Sequence, residues 1–230
     1  MALHALRALD QEMTSAFFKA LSNVVKNAWR SPILNIGALL GFGVLLPRKY
    51  GFDFLDIRLV LAYAFIPMLF VAPAVTSAMR VGQPARQSTI ELYAHVGAIV
   101  VYGWIIGLVV MAMGLATVNA IYHPPEVLLP SPGVLQAYVM FSFAAVAFVA
   151  SLGAYIALLF TPTASLNTLR VGFVVLLLFF YGGANLLPLS WQVSLASAAT
   201  SDGFMRSALL CSVCLLAFAG GLLGAMRSRS

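Results

Sequence analysis

Charge is what this chain has least of. Asp, Glu, Lys and Arg make up 9% of its 230 residues, against about 25% in an ordinary soluble domain. Hydrophobic residues take 62%, where about 45–50% is usual. A soluble core of this size could not hide so much apolar surface, so lipid is the solvent. Cysteine is nearly absent. Cys211 and Cys214 give no disulfide framework. They sit three apart in an apolar run and read as small core residues on one helix face, not as a metal or redox site.

Histidine is equally sparse. His4, His95 and His123 do not place two imidazoles in clear spans, which leaves no bis-histidine haem site and no His-carboxylate metal cluster. HExxH and GxxxxGK[ST] are both missing, so neither metalloprotease chemistry nor ATP hydrolysis by a phosphate loop is available. No residue stands out as catalytic, cofactor-binding or metal-ligating, and any energy must come from a partner. The net charge of +6 comes from thirteen Lys and Arg scattered among apolar runs. That is a topology signal, not a nucleic-acid footprint. The first thirty residues lack the compact apolar run and small-residue site of a cleavable signal peptide.

What is present is long apolar sequence. A spanning helix needs roughly 20 mostly apolar residues. Residues 59–79, 92–121, 135–160, 171–187 and 207–226 meet that, and 33–46, between Pro32 and Pro47, is a shorter sixth candidate. The expected fold is an all-α, polytopic membrane bundle of about six spans. Residues 1–31 form an amphipathic N-terminal segment and 32–230 the transmembrane domain. Between residues 11 and 30, Gln11, Ser15, Lys19, Ser22, Lys26 and Arg30 recur at helical spacing, as do Met13, Phe17, Leu21, Val24 and Ala28. A helix so patterned lies in the membrane surface with Lys19, Lys26 and Arg30 near anionic headgroups, or docks on a partner; the two are compatible.

With both ends in the cytoplasm, Arg7, Lys19, Lys26, Arg30, Arg80, Arg86, Arg170, Arg227 and Arg229 are inside. Arg48, Lys49, Arg58 and Arg206 are outside. Nine cations against four obey the positive-inside rule. Residues 80–91 form a short cytoplasmic loop with Gly82 and Pro84, and 123–133 an outer loop stiffened by Pro124, Pro125, Pro130 and Pro132. Residues 188–204 are mildly apolar, with Trp191 near their start. They read either as a re-entrant or interfacial segment or as a plain loop.

The clear spans hold no Asp, Glu, Lys or Arg between their ends. Intramembrane charge marks ion paths and proton relays, so its lack argues against an ion-coupled transporter or proton pump. His95, at the start of the third span, reads as a packed or interfacial residue. The pairs Gly37/Gly41, Gly103/Gly107 and Gly220/Gly224 have the spacing that lets helices approach closely.

The order of parts resembles the permease subunits of type 2 ABC exporters. A basic amphipathic helix leads through Arg30-Ser31-Pro32 into a first span closed by Pro47. A small cytoplasmic loop carrying Arg80, Gly82, Pro84, Arg86 and Glu91 follows the second span, and an outer apolar stretch precedes the last. The resemblance is one of architecture over almost the whole chain. It implies an interfacial elbow helix, ATPase coupling through residues 80–91, a second permease copy or homologue, and separate cytoplasmic ABC ATPase subunits in a bacterial inner membrane. An uncharged path between two permeases suits hydrophobic, amphipathic or lipid-linked cargo. The rival expectation is a non-catalytic transmembrane scaffold of a respiratory, secretion or assembly complex, which the same composition fits. A lipid-modifying enzyme lacks a nucleophile or acid–base pair.

Overall fold

The computed structural model describes residues 2–30, 32–45, 48, 85–122, 131–160, 171–172, 175, 186, 188, 190–191 and 201–227. The elements among them are all helical: α1 (Ala2–Ala28), α2 (Pro32–Leu40) running into a π-helical turn (Gly41–Leu45), α3 (Ala85–Tyr122), α4 (Pro132–Phe160) and α5 (Asp202–Arg227). Three of them, α3, α4 and α5, are long and apolar enough to cross a bilayer. The chain is a membrane protein, all-helical in its described elements. The expected span at 59–79 and most of that at 171–187 lie outside the described residues.

Local chemistry explains the helix starts. Pro132 opens α4, where a missing N–H costs nothing, and the Ser131 hydroxyl accepts from the Val134 N–H at 3.4 Å. Ser201 does the same for α5, accepting from the Phe204 N–H at 3.3 Å. Such caps satisfy donors that no helical carbonyl can reach. Pro132 and Gly133, expected in the outer loop, are therefore the first turn of α4. Pro32 likewise opens α2. At about 1.5 Å per residue, α2 and its π turn rise roughly 20 Å, short of the roughly 30 Å hydrocarbon core.

Helix α3 is the hub: α1, α2, α4 and α5 all pack on it. Its 38 residues make it about 57 Å long, well beyond what the hydrocarbon layer requires. Trp104 donates its indole N–H to the Val139 carbonyl of α4 at 3.2 Å, and its ring meets Phe143 edge-on at 5.6 Å between centroids. The α4 seam is built of small residues, among them Ala147, Ala150, Ser151, Gly153, Ala154 and Ala157, all buried. In lipid no hydrophobic effect drives helices together, so close packing of small residues and interhelical hydrogen bonds must do so. The seam of α5 is narrow: Met205, Ser212, Ala219 and Leu223 are buried while Leu210, Val213 and Phe218 are about two-thirds exposed. Hydroxyls within the spans bond back to their own helix, as Ser142 does to the Val139 carbonyl and Ser212 to the Ala208 carbonyl, which keeps them satisfied without water.

One sequence expectation needs correction. Cys211 and Cys214 are exposed rather than in the core, because the buried seam of α5 runs through Ser212 and leaves both cysteines off it. Among the glycines, Gly37, Gly41 and Gly224 have open space where a Cβ would go. Gly43 and Gly220 are tight positions. A Cβ on Gly43 would sit 2.9 Å from the Met113 Cβ. The π turn also frees the Gly43 carbonyl, which accepts from the Thr117 hydroxyl at 3.1 Å. Gly220 has the Tyr93 hydroxyl against it and Thr89 Cγ2 at 3.3 Å. Gly43→Ala is expected to cost about 1–3 kcal/mol through overpacking, while Gly41→Ala stays within about 0.5 kcal/mol. Thermal unfolding of the two variants in one detergent checks the contrast.

Candidate functional site

The N-terminal extension of α3 is where polar chemistry gathers. Before the apolar run begins at Leu92, α3 carries Arg86, Gln87 and Glu91, and the next turn adds His95. Residues 85–91, expected as part of a loop, are helical. Nothing in Ala85-Arg86-Gln87-Ser88-Thr89-Ile90-Glu91 breaks a helix, so the turn after Pro84 continues straight into the span. Arg86 and Glu91 thus sit on α3, five residues apart. Arg80, Gly82 and Pro84 lie outside the described residues.

Helix α1 docks on this extension. Ala20, Val24 and Ala28 are buried, with Ala16, Phe17 and Leu21 packed beside them, a stripe with the three- and four-residue spacing of one helix face. The Phe17 ring lies 3.6 Å from the Cβ position of Gly97, so this glycine makes room for the aromatic. At the other end Arg86 donates to a Glu12 carboxylate oxygen at 3.2 Å, with side chains 72% and 48% exposed. A pair that exposed contributes about 0–1 kcal/mol. Apolar packing holds α1, and the ion pair adds little to it.

Between the two helices is a cavity of about 300 Å3. Helix α1 contributes Glu12, Ser15, Lys19 and Asn23, and α3 contributes Gln87, Glu91 and His95; Ala16, Ala20 and Ile90 give it an apolar floor. His95 Nδ1 lies 2.8 Å from the Glu91 carbonyl. A carbonyl only accepts, so Nδ1 carries the proton of that bond, and Nε2 is the ring nitrogen left toward the cavity. Among the described residues no group of three or more His, Cys, Asp or Glu is placed to hold a metal ion.

Of the three cations on the expected interfacial face, Lys19 lines the cavity, while Lys26 and Arg30 are exposed and line no part of it. A second exposed ridge adjoins them: Phe18, Val25 and Trp29 are 62%, 37% and 46% exposed. Sequence reasoning missed the cavity. Its signals were Glu12, Ser15, Lys19 and Asn23 at spacings of three and four, and Gln87, Glu91 and His95 at spacings of four; only the structure pairs the two stripes. Trp191, expected at headgroup depth, is exposed, and its N–H donates to the Pro188 carbonyl at 2.9 Å.

Comparison with protein-family models, with curated proteins and with solved structures finds no match to this chain.

If apolar packing holds α1 in place, Phe17→Ala should loosen it by about 1–3 kcal/mol, whereas Arg86→Ala should change it by less than about 1 kcal/mol. Limited trypsin cleavage after Lys19 and Lys26 reads this directly: faster in the first variant, near wild type in the second.

Proposed function

We propose that the chain is the membrane-spanning permease subunit of an ATP-driven exporter of the type 2 ABC class. It would work in a bacterial inner membrane with a second permease copy or homologue and separate cytoplasmic ATPase subunits. In this reading about six apolar segments, the short α2 among them, form the bilayer domain and both termini are cytoplasmic. Helix α1 is the interfacial elbow, with Phe18, Val25 and Trp29 at the acyl boundary and Lys19, Lys26 and Arg30 at the headgroups. The cargo is hydrophobic, amphipathic or lipid-linked, since the interiors of α3, α4 and α5 offer no charge to a small ion.

The observation that carries the reading is the docking of α1 on the start of α3, through Phe17 on Gly97 and Glu12 with Arg86. Type 2 ABC exporters need a cytoplasmic element that passes ATPase closure to the spans. Here the elbow candidate and the end of the coupling candidate form one packed unit, continuous through α3 with the bundle. A push on residues 80–91 would move α1 and α3 together, because a helix transmits displacement along its axis.

Purification from the native membrane in mild detergent, followed by mass spectrometry, tests the proposal. A stoichiometric ABC ATPase is expected. A set of unrelated membrane subunits without an ATPase would overturn the reading and leave the chain as a scaffold of that complex.

A further inference from the structure

The cavity between α1 and α3 has a charge pattern that selects its occupant. Lys19 presents one cation and Glu12 and Glu91 present two carboxylates, with Arg86 beside Glu12. Both signs are thus present within about 300 Å3. An anionic group alone would meet the carboxylates, and a cation alone would meet Lys19. A bare divalent ion lacks a ligand set, since no group of three or more acidic, His or Cys side chains is placed to hold one among the described residues. The fitting ligand carries a cation and an anion a few bonds apart.

The lining also decides which cation. Quaternary ammonium groups are recognised by aromatic cages, and among the described residues no Phe, Tyr or Trp lines this cavity. Carboxylates instead reward a cation that can donate, and charge-assisted hydrogen bonds are the strong ones. A primary ammonium fits Glu12 and Glu91, with the His95 Nε2 lone pair as a further acceptor, and a phosphate fits Lys19. The apolar floor of Ala16, Ala20 and Ile90 and the exposed Phe18 next to Lys19 suit a ligand whose remainder is acyl chain. We propose that the cavity binds a phosphoethanolamine group, presented as the headgroup of a phospholipid. This rests on α1 lying at the membrane surface, not on the chain being an exporter.

The test is native mass spectrometry of the full chain in detergent with equal amounts of phosphatidylethanolamine, phosphatidylcholine and phosphatidylglycerol of one acyl composition. The ethanolamine lipid is expected to be retained about tenfold over the other two, Glu91→Gln to lose roughly that factor, and Lys19→Gln to weaken retention of all three lipids alike. Lys26→Gln, outside the cavity, should keep the wild-type preference. Free O-phosphoethanolamine should displace the lipid at high concentration, which places the specificity in the headgroup. Equal retention of the three lipids, or an unchanged preference in Glu91→Gln, overturns the proposal. Binding of free O-phosphoethanolamine with no lipid preference overturns the lipid source and the surface placement of α1. A preserved ethanolamine preference in a protein that co-purifies with no ATPase supports the site while removing the exporter reading.

Discussion

The structure depends on a mismatch of length. Helix α3 runs for 38 residues, and the hydrocarbon layer needs only about 20. Part of α3 must therefore leave the apolar layer. The sequence says which part: Arg86, Gln87 and Glu91 occupy the first turns, and from Leu92 to Ile121 there is no charged residue. A projecting helix end has apolar flank to cover, and α1 covers it. The position of α1, the cavity beneath it and its link to the rest of the bundle all follow from that extension.

Inside the bilayer a different rule governs. Water is not there to satisfy polar groups, so the indole of Trp104, the hydroxyls of Ser142, Ser212 and Thr117 and the carbonyl of Gly43 each find a partner within the protein. The π turn of Gly41–Leu45 would be a defect in isolation. Beside Thr117 it becomes a joint, because the freed carbonyl is bonded and Gly43 lets the two backbones approach. The same economy holds α4 and α5 together through small residues, while Leu210, Val213 and Phe218 on the other side of α5 stay exposed.

Much of this was legible in the sequence, and the failures have physical causes. Apolar runs 92–121, 135–160 and 207–226 became α3, α4 and α5 because length and hydropathy alone decide a span. The period of Phe17, Leu21, Val24 and Ala28 marked an apolar face of α1, but it read as facing lipid or a partner, and it packs on α3. Boundaries failed where capping was decisive: Pro132 read as loop because proline is a breaker, yet behind Ser131 it is a start. Residues 85–91 read as loop because they are polar, although polarity does not oppose helix. Glycine spacing named Gly220, which Tyr93 and Thr89 crowd, and also Gly37 and Gly41, which nothing crowds; only a neighbour makes a glycine necessary, and that of Gly43, Met113, is seventy residues away. Cys211 and Cys214 read as core because apolar context cannot tell a protein-facing side from a lipid-facing one. The cavity was illegible because it exists only between two stripes that the chain brings together.

The central claim is that the joined start of α3 and α1 faces a cytoplasmic ATPase. The most direct measurement is photo-crosslinking in living cells from a benzophenone amino acid in place of Arg86, which is largely exposed and loses only a weak ion pair by the change. The account predicts one main adduct, identified by mass spectrometry as an ABC ATPase subunit, and none with the probe placed on the exposed face of α5 at Val213. Adducts to other membrane subunits alone, or to an ATPase from Val213 and not from Arg86, would contradict it.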